Sequence, residues 1–125
     1  MKAVVTRCLS AEVTVAGVTV GKLPSPGLLV LLGVTHTDTQ ETADKLLAKL
    51  INLRILDDEQ SALDLGAPVL IVSQFTLYGS VRKGRRPSWS DASGRDHAEP
   101  LIEYVAEQVA ANGLHVETGS FGEMM

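Results

Sequence analysis

Apolar and polar residues roughly alternate between positions 3 and 20, with Ala11, Val13 and Val15 set against Glu12, Thr14 and Ala16. A period of two sends successive side chains to opposite faces, so this stretch predicts half-buried strands with Gly17 at a turn. Pro24, Pro26 and Gly27 then punctuate the chain before Leu28-Leu29-Val30-Leu31-Leu32-Gly33-Val34. That run has too few polar positions to face water and reads as a central strand. The first third therefore predicts a β-meander.

The period then lengthens. Ala43, Leu46, Leu47, Leu50 and Ile51 recur at helical spacing behind Asp38, which can cap the helix with Glu41 three residues on. A second helix is predicted over residues 96–112, with Ala98, Leu101, Ile102, Val105 and Val109 on one stripe and Gly113 as its stop. Between the helices, residues 68–75 read as another buried strand, and residues 114–117 as a short one. Residues 79–95 show no periodicity and are rich in Gly, Ser and Arg, which predicts a long loop of the kind that carries function. Residues 1–125 make a single domain, because two cores would leave about 60 residues each. The class is α+β: a mainly antiparallel, barrel-like sheet with two helices packed on it.

Composition narrows the compartment. The longest dense apolar run is the seven residues just quoted, against the roughly 20 that a membrane-spanning helix needs. Lys2 and Arg7 bracket a start without the continuous apolar core of a signal peptide. Cys8 is the single cysteine, so no internal disulfide or cysteine-based zinc cluster can form, and on a strand it reads as an inert thiol. His36, His97 and His115 fall in different elements with no metal-pair spacing. These features predict a cytoplasmic protein with no membrane partner, no metal and no other cofactor.

The net charge of −4, from 11 basic and 15 acidic side chains, argues against general adhesion to polyanions. Four of the 11 cations nevertheless fall within five positions, Arg82, Lys83, Arg85 and Arg86, with Trp89 close by. Cations that neutralise phosphates beside a ring on which a base can stack suit single-stranded RNA. A solvated loop pairing with the protein's own carboxylates is the equally open alternative. The buried strand before it ends in Ser73-Gln74-Phe75-Thr76, which places hydroxyls, an amide and turning backbone N–H groups at a sheet edge where a carbonyl can be gripped. Ser and Thr are also ordinary turn formers at strand ends, and the spacing is not that of a Gly-X-Ser-X-Gly nucleophile elbow.

Ser73-Gln74-Phe75-Thr76-Leu77 resembles the Ser-Gln-Phe-Thr-Leu signature of the D-aminoacyl-tRNA deacylases, also called D-tyrosyl-tRNA deacylases. Val5-Thr6-Arg7, the run from Gly27 through Val34, Leu50-Ile51-Asn52-Leu53-Arg54, and Lys83-Gly84-Arg85-Arg86-Pro87-Ser88-Trp89 extend the resemblance along the whole chain. It implies a homodimeric cytoplasmic hydrolase that cleaves the ester between a D-amino acid, or glycine mischarged on tRNA-Ala, and the terminal ribose of tRNA. The composite site would lie at the dimer interface, without a metal. Ser73, Gln74, Phe75 and Thr76 would be its catalytic segment, with Arg82, Lys83, Arg85, Arg86 and Trp89 holding tRNA. For Thr76 a binding role is favoured, since no base is visible to activate its hydroxyl.

The resemblance also implies that a Gly-cis-Pro element from the partner meets this segment and rejects L-amino acids. No Gly-Pro dipeptide occurs in these 125 residues, so residues 1–125 alone are expected to discriminate poorly between enantiomers. A non-catalytic tRNA-binding module on the same fold is the alternative reading, and a hydrolase of small esters a third.

Overall fold

The computed structural model describes residues 1–79, 88 and 90–119. The chain opens with β1 (Lys2–Cys8), β2 (Glu12–Val15), β3 (Val18–Lys22) and β4 (Gly27–Gly33), followed by α1 (Gln40–Asn52) and the single-turn α2 (Ala62–Leu65). It closes with β5 (Val69–Ser73), α3 (Arg95–Ala111) and β6 (Val116–Thr118). β1, β4, β5 and β6 form one sheet in that order, while β2 and β3 form a separate hairpin.

The apolar run of β4 is central because it is buried on both faces. Leu28, Val30 and Leu32 join Val69 and Ile71 against α1, α2 and α3, with Leu50, Ile51, Val105 and Val109 completing that core. Leu70 and Val72 point the other way, onto Val13 and Leu23 of the hairpin, where Leu29 and Leu31 are half-buried. A strand wedged between two apolar layers has no polar face to show, which is why its sequence lacks alternation.

Expectations are corrected on strand order, strand direction, the α1 cap and the number of helices. The first third is not a meander: β1 pairs with β4, and the hairpin leaves the sheet to cover its second face. The sheet is not mainly antiparallel, nor a closed barrel. β1 and β4 run antiparallel, but β4 with β5 and β5 with β6 are parallel. The helices are crossovers, and a helix between two strands returns the chain to run in the same direction. Finally, Asp38 does not cap α1. Thr39 does, in a reciprocal box with Thr42, whose N–H donates to Thr39 Oγ1 at 3.4 Å while Thr39 N–H donates to Thr42 Oγ1 at 3.2 Å. α2 is a third helix, with a similar box between Ser61 and Asp64 and a left-handed Gly66 as its stop. Those Ser61 hydrogen bonds hold the Asp64 carboxyl below the usual aspartate range.

Two glycines mark close approaches. At Gly27 a side chain would run into the Pro68 carbonyl, which accepts from Leu28 N–H at 3.0 Å. At Gly33 a Cβ would stand 3.1 Å from both the Gln74 carbonyl oxygen and Leu77 Cβ.

Candidate functional site

β4 and β5 are parallel and finish together, Leu32 opposite Ser73. The carboxyl ends of adjacent parallel strands are where chains diverge and leave room for a ligand. Gln74 N–H donates to Leu32 O at 2.9 Å, extending the ladder by one residue, and the chain then coils into a 3₁₀ turn, Phe75–Tyr78. Leu77 N–H to Gln74 O (3.4 Å) and Gly79 N–H to Thr76 O (3.0 Å) close that turn. Gly33 lets it fold flat against β4. Lys2 secures it from β1: its ammonium donates to Leu77 O at 3.3 Å and lies 4.7 Å from the centre of the Tyr78 ring, a cation–π distance. Burial, and secondarily the Asp38 charge, push the Tyr78 phenol up from its ordinary value.

The start of α3 supplies the facing wall. Ser93 N–H donates to Val34 O at 2.9 Å, and the Thr35 hydroxyl donates to Asp91 O. Asp38 fastens the corner behind them: its carboxylate accepts from Thr35 N–H (2.8 Å) and the Met1 ammonium (2.7 Å), and its carbonyl accepts from His97 Nε2 (2.8 Å). An aspartate only 6% exposed is tolerable here because both carboxylate oxygens are satisfied.

Between the walls lies a cleft of about 230 Å³. Ser73, Gln74 and Phe75 line one side, Ser93, Arg95 and Ala98 the other, over a floor of Leu32, Gly33 and Val34. Phe75 is 56% exposed, an apolar ring presented at the rim. No described lining residue is a carboxylate, histidine or lysine, so these side chains can grip and orient an acyl group but offer no general base. A larger cleft of about 320 Å³ opens at the other end of the same strands, around Arg7, Cys8, Gly27 and Pro68. Its guanidinium is already engaged with Ile55 O at 3.1 Å and with Asp57 at 3.5 Å, and size alone does not make it the site of chemistry.

The strand-end motif thus divides. Ser73, Gln74 and Phe75 reach the cleft, whereas Thr76 is exposed on the turn and does not line it. Arg82, Lys83, Arg85, Arg86 and Trp89 lie outside the described residues. The histidines act as anchors: His36 Nε2 donates to Ser90 O at 2.7 Å, His97 to Asp38 as above, and His115 Nε2 lies 2.8 Å from a Glu117 carboxylate oxygen. Among the described residues no group of three or more His, Cys, Asp or Glu is placed to hold a metal ion. Sequence reasoning missed Ser93, Arg95 and Ala98, whose place on the cleft comes from tertiary packing, and Gly33, whose one signal was a glycine inside an apolar run.

The chain resembles known proteins over its whole length. The family model described as D-Tyr-tRNA(Tyr) deacylase matches residues 4–125. The D-aminoacyl-tRNA deacylase of Cutibacterium acnes is 57% identical over 125 residues, covering 100% of this chain and 86% of the relative. That of Thermobifida fusca is also 57% identical, covering 100% and 89%. Among solved structures, a c-Myc DNA Unwinding Element Binding Protein superimposes with a TM-score of 0.89 at 35% identity, covering 99% of this chain and 87% of the other. With a family model spanning residues 4–125 and relatives of this identity, the chain belongs to the D-Tyr-tRNA(Tyr) deacylase family.

Proposed function

We propose that this protein hydrolyses the ester bond of D-aminoacyl-tRNA, and of glycyl-tRNA, releasing the amino acid and tRNA in a proofreading step of translation. The observation that carries the reading is the cleft at the parallel strand ends, walled by Ser73, Gln74 and Phe75 in a chain of this family. The names of its relatives favour hydrolysis over tRNA binding alone. Residues 73–75 hold and orient the acyl ester and offer polar groups to the charge that develops on its carbonyl oxygen. Because the described lining residues supply no base, the proton from attacking water leaves to solvent or to a group of the substrate. The direct assay is release of D-tyrosine from D-tyrosyl-tRNA. Rates no faster than in buffer would overturn the reading.

Binding of the tRNA backbone falls to Arg82, Lys83, Arg85 and Arg86, with Trp89 as a stacking ring. Replacing the four cations with alanine is expected to flatten the slope of log affinity against log salt by about 3, at roughly 0.7 to 0.9 per phosphate lost. An unchanged slope would assign the cluster to a solvated loop.

A homodimer is supported by the hairpin side of the sheet. Val4, opposite Leu31 in the β1–β4 pairing, is 45% exposed, and the neighbouring Leu29 and Leu31 are covered only in part. A second copy laid over this face buries it. Sedimentation at micromolar concentration is expected to give twice the 13.3 kDa chain mass, and Val4→Asp to shift the population to monomer. A wild-type monomer would refute the dimer.

A further inference from the structure

The seven lysines and arginines outside residues 82–86 are not spread evenly. Lys2 is held at Leu77 O, Arg7 pairs with Asp57, and Arg95 pairs with Glu99 at 2.8 Å. Lys45, Lys49 and Arg54 instead line one open groove of about 750 Å³ at the carboxyl-terminal end of α1, with Ala48, Asn52 and Leu53 between them. All six residues are exposed. No carboxylate lines the groove, and among the described residues none of its three cations forms an ion pair. Arg54 reaches the Asp64 carboxyl only at longer range, as the least of the influences on it.

The cluster works against the helix that carries it. Lys45 and Lys49 stand four residues apart on one face, where like charges repel. The negative end of the helix dipole favours Lys49, in the last turn, but Lys45 lies a turn earlier and Arg54 beyond the helix. A polyanion seated in the groove relieves the repulsion, and separated cations along a concave face match a row of phosphates. Leu53 is the one large apolar residue of the lining, too little to enter a lipid surface.

The groove is also placed for a tRNA substrate. α1 starts beside the corner where Asp38 braces the cleft and, at 1.5 Å per residue, extends about 20 Å. Its last turn leads to Ile55, whose carbonyl accepts from Arg7 at the far end of the sheet. A tRNA with its aminoacyl end in the cleft leaves by a short single strand, and its duplex stem must then lie on an exposed face. The outer face of α1 runs away from the cleft in this way. A-form RNA presents shape and phosphates rather than readable bases, which lysines and an arginine without a stacking ring are suited to hold.

We propose that Lys45, Lys49 and Arg54 form a second phosphate-binding surface, which holds the duplex stem of the tRNA while its end occupies the cleft. The choice of tRNA rests on the deacylase reading.

The test uses the triple variant Lys45→Gln, Lys49→Gln, Arg54→Gln and two substrates, D-tyrosyl-tRNA and D-tyrosyl-adenosine, which has the ester and no stem. Binding of uncharged tRNA is followed by fluorescence anisotropy across a salt series, with melting temperature in parallel. The variant is expected to bind tRNA about tenfold more weakly, to lower the slope of log affinity against log salt by about 2, and to raise KM for D-tyrosyl-tRNA with kcat unchanged. Hydrolysis of D-tyrosyl-adenosine and the melting temperature are expected to stay at wild-type values. Unchanged tRNA affinity and salt slope would overturn the proposal and return the cluster to a solvated helix face. Equal loss on both substrates would overturn it too, as would binding to phosphatidylserine vesicles that the substitutions abolish while tRNA binding stands. If the wild type hydrolyses both esters and the variant matches it on both, the proposal alone fails. If the wild type binds tRNA through the groove but hydrolyses neither ester, the deacylase reading fails and the phosphate surface stands.

Discussion

Gly33→Val is expected to reduce hydrolysis of D-tyrosyl-tRNA by about a hundredfold while the protein stays folded. A Cβ there already meets the Gln74 carbonyl and Leu77 Cβ at 3.1 Å and the Tyr78 ring at 3.2 Å, and the valine methyl groups reach further. Something must move, and the turn, on the outer side, is freer than β4, which is paired on both edges. Displacing Gln74 and Phe75 by about 1 Å takes the acyl-gripping wall out of register with the facing helix, and misplacement on that scale costs roughly 10²-fold in rate. Gly33→Ala needs a shift of only a few tenths of an ångström and is expected to fall between. Circular dichroism and steady-state rates on both variants check this. Wild-type rates in both would show that the wall takes no part in the reaction.

The second large effect is on stability. Gly27→Ala puts a methyl group 2.1 Å from the Pro68 carbonyl oxygen and 2.9 Å from the proline ring, a collision with backbone that no side-chain rotation relieves. Relief requires β4 and β5 to part where Leu28 N–H bonds to that same carbonyl. The expected loss is about 3 kcal/mol, at the upper end of overpacking costs, and a fall in melting temperature on the order of 10 °C. Thermal denaturation followed at 222 nm reads it. A melting temperature within about 2 °C of wild type would mean that the strands do not approach so closely.

Much of this fold was legible because periodicity is a local property. The helix predicted over residues 96–112 is Arg95–Ala111, with Gly113 at a φ of 89° just beyond its cap, and both continuous apolar runs are central strands. Strand direction was less legible, since an apolar run has the same pattern whether its neighbour is parallel or antiparallel. The sign was there in combination: a helix-period segment between two non-alternating strands makes a crossover unit, and treating the strands alone hid it. Asp38 misled because its side chain turns back to the local Thr35 N–H and to the distant Met1 ammonium, in preference to the helix end beside it. α2 is one turn long and too short to show a period. In the site, the Ser73, Gln74 and Phe75 wall was visible as a motif, while the opposite wall was not. Ser93 lies twenty positions further along and meets the strand ends only through its bond to Val34.

The parallel pairings also govern when this cleft comes into being. Leu28 pairs with Val69 and Val69 with Val116, so each parallel contact closes a loop of some forty residues or more, and the entropy of closure is lost before the contact is gained. The antiparallel β1–β4 contact closes a shorter one and can form without either. A chain that has made only that first contact possesses neither wall. Enzymatic turnover is therefore a property of the completed fold alone, and the rate at which activity returns on refolding reports the slowest long-range closure rather than early collapse.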